Sequence, residues 1–173
     1  MAFKKPINSL ISDSKILVDT NIWLYLFGIQ SSWEDPGYTD LLDKLIRLNV
    51  HLFVNSQIIS EYINTTTRLA YKQYIKRHKL QAKKFQYKRK YRPTSDFNTN
   101  YEIAIESVKT EILELAQLTN ANNQKTVNSI EQYNMLDFND ELIVNDALQN
   151  DLFIMTHDKD YLDYPEEIGI ISL

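Results

Sequence analysis

Cysteine is absent from all 173 residues. That excludes a disulfide framework and any thiolate metal site. Glycine is scarce: Gly28, Gly37 and Gly169 stand far apart, which rules out the glycine-rich loops that cradle phosphates in nucleotide and dinucleotide sites. Long apolar runs are also missing. The longest, Ile22–Ile29, falls far short of the roughly 18–20 residues that cross a bilayer. The opening decapeptide MAFKKPINSL lacks the apolar core of a secretory leader, so the expected location is cytoplasmic, with no membrane partner. Neither an HExxH zinc motif nor a GxSxG nucleophile elbow occurs, and His51, His78 and His157 show no metal-ligand spacing.

Acidic residues are missing from one segment in particular. Residues 68–92 carry eleven Lys or Arg and no Asp or Glu, whereas residues 93–173 carry a net charge of −13. The formal net charge of −4 therefore hides an acidic body with a strongly basic block. A block of this size points to an anionic partner, with docking on an acidic partner or on the acidic body, and a plain solvated face, as the other readings. Helices kept soluble by charge usually mix signs for i,i+4 support, and this block does not. Tyr71, Tyr74, Phe85, Tyr87 and Tyr91 are interleaved with the cations, as in surfaces that grip single-stranded nucleic acid. Lys83, Lys84, Lys88, Arg89 and Lys90 are the candidate RNA contacts.

Apolar patterning implies strands alternating with helices. KILV (15–18), HLFV (51–54), LFIM (152–155) and residues 168–172 read as strands, with a further short one at Met135-Leu136. Residues 22–27, 38–49, 101–118 and about 139–149 read as helices. From Ser56 one helical pattern runs on through the basic block until Pro93, residues 94–100 read as a linker, and 119–130 as a loop. Residues 1–14 read as surface. The expected fold class is α/β, three layers with a central, mainly parallel sheet, as one domain over residues 1–173 with a basic helical insertion at about 68–92.

Ligands of parallel sheets bind outside the carboxyl ends of the strands. Asp19 follows KILV and Asp158 follows LFIMT, while Glu61 and Asp140 fall near the starts of helices after apolar segments. Four carboxylates converging on one edge repel strongly, since two unit charges about 4 Å apart cost roughly 4 kcal/mol at an effective dielectric near 20. Oxygen-only sites of this kind suit hard cations, Mg²⁺ or Mn²⁺, which bind phosphate oxygens and activate water. Each carboxylate also has a plainer reading: Asp19 and Asp140 as helix N-caps, Glu61 as a surface residue. Asp137, Glu141, Asp146 and Asp151 are expected to be solvated.

VDTN at Val18–Asn21 resembles the opening signature of the PIN-domain ribonucleases, which include the VapC-type toxins. Ser60-Glu61 within NSQIISEY resembles the family's glutamate-bearing helix. FNDELIVNDALQNDLFIMTHDKDY (138–161) resembles its C-terminal block, an aspartate opening a helix, then a strand, then T-x-D. The resemblance implies a Rossmann-like α/β/α sandwich, extended here by a basic helical hairpin. It implies a Mg²⁺/Mn²⁺-dependent endoribonuclease with Asp19, Glu61, Asp140 and Asp158 as catalytic and metal-holding residues. Thr20, Asn21 and Thr156 would be supporting hydrogen-bonders, and Asp160 would assist or replace Asp158. In the toxin branch an antitoxin blocks the site and the toxin is a homodimer. The alternative is a non-catalytic module binding RNA or protein through an acidic cation site and a basic arm. A receiver-type signalling domain would need a phosphoacceptor aspartate ending a central strand, where HLFVN has Asn55.

Overall fold

The computed structural model describes residues 1–28, 36–119 and 136–173. Six strands form one sheet: β1 (Phe3–Lys4), β2 (Lys15–Val18), β3 (His51–Val54), β4 (Ala116–Leu118), β5 (Phe153–Met155) and β6 (Gly169–Ile171). Their order is β1-β6-β5-β2-β3-β4, and every pairing is parallel, with Leu17 facing Phe53 on one side and Ile154 on the other. A parallel sheet is covered on both faces, and the central strands show it: Ile16, Leu17, Val18 and Ile154 have no exposed surface. The α/β class is as read from the sequence, and the mainly parallel sheet is wholly parallel.

Helices flank the sheet: α1 (Thr20–Phe27), α2 (Tyr38–Arg47), α3 (Ser56–Arg77), α4 (Ser95–Ser107) and, after a π-helical stretch at Val108–Ile112, a single turn α5 (Leu113–Leu115). The last is α6 (Phe138–Asn150). None of the described helices is long and apolar enough to cross a membrane. Leu41, Leu42 and Leu45 of α2 and Ile143, Val144 and Ala147 of α6 are buried in the common core, as their spacing requires.

Chain direction reverses between β2 and β5. From β2 the chain moves outward through β3 to β4; from β5 it moves the other way, to β6. Neighbouring strands whose connections depart in opposite directions leave a crevice at their carboxyl ends, the usual ligand position in open α/β sheets. Asp19 and Thr156–Asp158 lie at that crevice.

Several sequence expectations need correction. The long helix does not continue to Pro93. It stops at Arg77 because Lys79 adopts a left-handed conformation (φ 52°), which lets the Leu80 amide donate to the Ile75 carbonyl and close the helix end. Glycine usually marks such an end, so lysine gave no signal. The following segment is turns and a π-helical stretch at Tyr87–Tyr91, so the basic block covers the last part of α3 and the bend of a hairpin, and is not one helix. Residues 95–100 open α4, capped by the Thr94 hydroxyl, which accepts from the Phe97 amide. The helix read to Leu118 ends at Leu115, and residues 116–118 form edge strand β4. Residues 3–4 add the other edge strand. Leu136 is buried in a bend and in no strand, while Met135 and most of the expected 119–130 loop lie outside the described residues. Asp137, not Asp140, caps α6, accepting from the amides of Asn139 and Asp140.

Two carboxylates expected in solvent are buried. Glu141 accepts from the Tyr164 hydroxyl at 2.9 Å. Asp146 accepts from Asn55, Thr119 and Asn150 at 2.7–3.0 Å. It thereby ties α6 to the start of α3 and the end of β4. Buried carboxylates need such partners to offset lost hydration. Asp137 and Asp151 are exposed.

Candidate active site

Asp19 is the last residue before α1 and is 5% exposed. Its amide still belongs to the sheet, donating to the Met155 carbonyl at 2.9 Å. Its carboxylate is fixed by three donors: the Thr20 amide at 2.6 Å, Asn21 Nδ2 at 2.7 Å and the Thr156 hydroxyl at 2.7 Å. Thr156, the residue after β5, is fully buried. Its oxygen also accepts from Asn21 Nδ2 and from the Asp158 amide, both at 3.0 Å. The Asn21 carbonyl oxygen accepts from the His157 amide at 3.0 Å. The ends of the two central strands are thus bolted together around one carboxylate.

The other acids sit around it. Glu61, on the second turn of α3, is exposed, and its Oε2 accepts from the Thr20 hydroxyl at 3.2 Å. Asp140, in the first turn of α6, accepts from the fully buried Tyr161 hydroxyl at 2.9 Å. Asp158 is exposed and its Oδ1 accepts from the Asp160 amide at 2.9 Å. Asp160 is exposed at the start of a 3-10 turn. Between these two, the Asp158 charge is the one felt by Asp140 and Tyr161.

Burial, with the charges of Glu61 and Asp140, lifts the Asp19 carboxyl to about 6 against the pull of its hydrogen bonds. Burial, with Asp137, Asp158 and Glu61, lifts Asp140 to about 6, although the Tyr161 hydroxyl favours its charged form. Tyr161 is held far above the ordinary phenol range by burial and by Asp19, Asp140 and Asp158. The four carboxylates feel one another, but as placed no three His, Asp or Glu side chains among the described residues stand close enough to grip one ion together. The donor set nonetheless fits a hard divalent cation: it is all oxygen, partly dehydrated, and in no ion pair with Lys or Arg among the described residues.

Sequence reasoning missed four contributors. Tyr161 had no signal, being one aromatic in an acidic turn. His157 and its neighbours form a wall beside the site. Tyr25 and Tyr38 pack against the His157 ring with centroids at 5.3 and 5.8 Å, and the Tyr38 hydroxyl lies 3.1 Å from Nδ1. An open cleft is lined by Asn21, His157, Asp158 and Lys159. The candidate RNA contacts Lys83, Lys84, Lys88, Arg89 and Lys90 are all exposed and sit between α3 and α4. The aromatics among them are not free platforms. Tyr71, Tyr74, Phe85, Tyr87 and Tyr91 pack on one another and on Phe97, with centroids 5.3–6.2 Å apart.

The fold has solved counterparts. VapBC2 from Rickettsia felis, bound to a DNA fragment from their promoter, contains a chain that superposes with a TM-score of 0.57 at 14% identity, covering 92% of this chain and 98% of that one. FitAcB from Neisseria gonorrhoeae gives 0.53 at 17% identity, with 90% and 96% covered. The structure of FitAB bound to an IR36 DNA fragment gives 0.52 at 15%, with 91% and 94% covered. At these identities the likeness speaks for the fold alone. Comparison with the sequences of curated proteins gives no match. The PIN domain model matches residues 16–167, nearly the whole chain and all four carboxylates, and the chain therefore belongs to the PIN-domain family, whose members are generally nucleases.

Proposed function

We propose that this protein is a Mg²⁺- or Mn²⁺-dependent endoribonuclease and the toxin of a toxin–antitoxin pair. The observation that carries the reading is Asp19: a buried carboxylate at the reversal point of the sheet, oriented by three donors, raised to about 6 by burial and by Glu61 and Asp140, and without an ion pair among the described residues. Such a group gains most from a divalent cation. When bound, the ion would lower the pKa of a water and offset charge on the phosphate.

Asp19, Glu61, Asp140 and Asp158 would hold the ion, directly or through water. Thr20, Asn21 and Thr156 keep the Asp19 oxygens aimed, as outer hydrogen bonds do around metal ligands. Tyr161 fixes one Asp140 oxygen and leaves the other available. Attack by water in line with the leaving oxygen would yield a 5′-phosphate and a 3′-hydroxyl. Lys83, Lys84, Lys88, Arg89 and Lys90 would contact the RNA backbone. The solved VapBC2 structure on promoter DNA supports a cognate antitoxin partner, and the resemblance to VapC-type toxins implies that this partner would block the site and that the toxin would be a homodimer. The test is cleavage of RNA by the wild type and Asp19→Ala with Mg²⁺, Mn²⁺ or chelator. Cleavage should vanish in the variant and in chelator. Chelator-resistant cleavage overturns the metal reading, and tight binding with intact RNA in Mn²⁺ makes the protein a binding module instead.

A further inference from the structure

The hairpin of α3 and α4 stands out from the sheet edge that carries the carboxylates. Contacts at its two ends show that the helices are antiparallel. The Tyr62 hydroxyl bonds the Ser107 hydroxyl at 2.9 Å, and the Arg77 guanidinium bonds Asp96 at 2.6 Å. Topology then sets the direction. β3 ends at the carboxyl edge, and β4, parallel to it, must start at the opposite edge. The chain from Ser107 to Ala116 descends about 13 Å at helical rise, the depth of a four-residue strand. Ser107 and its partner Tyr62 therefore lie level with the carboxyl edge, and everything beyond them projects outward on the side of the site.

Packing agrees. In this region the common core includes Ile58, Tyr62, Val108 and Ile112. Ala70, Tyr91 and Ala104 are buried but lie outside it. Tyr91 belongs instead to the aromatic cluster, packing on Tyr71, Tyr74, Tyr87 and Phe97. From Tyr62 to Arg77 the arm rises about 22 Å. The acids of α4 do not offset its tip: Asp96 is taken by Arg77, Glu106 lies 3.6 Å from Lys109, and Glu102 forms no ion pair with a tip cation among the described residues. Arg68, Arg77 and Arg92 lie over the faces of Tyr87, Tyr74 and Phe97 at 5.2–5.7 Å. Lys83, Lys84, Lys88, Arg89 and Lys90 have no ion pair and no ring partner among the described residues.

Resting on the endoribonuclease reading, we infer that the tip is a remote anchor for the RNA backbone, so that the protein selects RNAs long enough to reach from the carboxylates to the tip. A stacked strand rises about 3.4 Å per nucleotide, so 22 Å corresponds to about six or seven nucleotides. RNA fits better than an acidic protein because the cations are spread over a bend in which Leu80 is the one exposed large apolar side chain among the described residues, and because they share an edge with a site suited to phosphodiesters. A tetranucleotide reaches only one of the two places.

The test is anisotropy binding of random-sequence RNAs of 4, 8, 12, 16 and 24 nucleotides to the full chain in chelator. Its variants are K83Q/K84Q/K88Q/R89Q/K90Q and the version with Arg at all five positions. For the wild type, affinity should climb at least tenfold between 4 and 12 nucleotides and then level. The glutamine variant should lose that climb, and its salt slope should drop by about 3, near 0.7 per lost contact to a single strand. The arginine version should keep both. Circular dichroism checks that the hairpin is folded in each. Length-independent affinity in the wild type, or a climb retained in the glutamine variant, overturns the anchor. Polyglutamate displacing the 16-mer at equal charge concentration would also overturn it, in favour of protein docking. Because binding is read without cleavage, a failed nuclease reading leaves this result intact, and the converse also holds.

Discussion

The sheet edge and the projecting hairpin solve opposite electrostatic problems. At the edge, Asp19 and Asp140 are gathered under enough burial and mutual repulsion to raise both to about 6, and rigid donors hold Asp19 there. On the hairpin, cations are spread over exposed turns while aromatic rings supply the stiffness underneath. The first arrangement stores an unfavourable charge that a small cation relieves. The second presents charges already at ease in water, which suits a long, diffuse anion. Chemistry and affinity should therefore separate between the two regions, and perturbing each should leave the other's signature alone.

Asp19→Asn should give the largest effect. It keeps the shape but loses the charge and one acceptor, and cleavage should fall by about 10²–10³, the order lost when one preorganised charge-stabilising group is removed from an active site. Binding of a 16-nucleotide RNA and its salt slope should stay within about twofold of wild type. If Asp19→Asn changes the salt slope as much as loss of the arm lysines does, the division is wrong.

Tyr91→Ala attacks the other region. Tyr91 is fully buried, and its hydroxyl donates to Asp96 at 2.8 Å. Truncating a buried aromatic costs about 3–5 kcal/mol. If the hairpin has its own core, amide exchange should accelerate across 79–97 while the central strands β2 and β5 keep their protection. Uniform acceleration would show one cooperative unit.

The apo protein should also betray the stored charge. The folded chain holds the Asp19 proton more tightly than an unfolded chain with a value near 3.8. Stability should thus fall as pH rises from about 4 to about 6, by up to roughly 3 kcal/mol, and carry the full cost above 6. Asp140 acts in the same direction. Melting temperatures at pH 5 and 7.5 should show Mn²⁺ stabilising the protein more at 7.5, and Asp19→Asn should flatten the metal-free difference. Equal shifts in variant and wild type would remove Asp19 as its source.

These contrasts also explain what was legible in the sequence. β2, β3 and β5 were, because a short apolar run ending in Asp, Asn or Thr reads as a buried strand entering a loop or helix. The place of Asp19 was, because it directly follows the β2 run at the carboxyl end of a strand, where its plainer reading as a helix cap also holds. Edge strands β1 and β4 were not: two or three residues at a sheet margin carry no pattern of their own, and Ala116 continued the apolar spacing of Ile112 and Leu115. Burial of Glu141 and Asp146 escaped notice because α6 is covered on more than one face, so its apolar stripe of Ile143, Val144 and Ala147 understates what is buried. The hairpin bend was hidden because its turning residue is a lysine. In each case local composition described the neighbourhood along the chain, while the outcome was set by contacts far away in it.

That lysine offers the smallest and sharpest comparison. Lys79 (φ 52°) ends α3 in the arm and Asp151 (φ 54°) ends α6 in the body. Both are exposed and left-handed, where a side chain costs about 1 kcal/mol that glycine avoids. Asp151 also sets a negative charge at a helix C-terminus, which the helix dipole disfavours, whereas Lys79 sets a favourable positive one. Asp151→Gly should therefore stabilise by about 0.5–1 kcal/mol and shift the global urea midpoint. Lys79→Gly should gain less, and its gain should appear as slower amide exchange in the hairpin with the global midpoint unmoved. Because the two substitutions relieve the same backbone strain, a shared midpoint shift would mean that the arm and the sheet unfold together, and the separation between anchor and chemistry would then be one of charge alone.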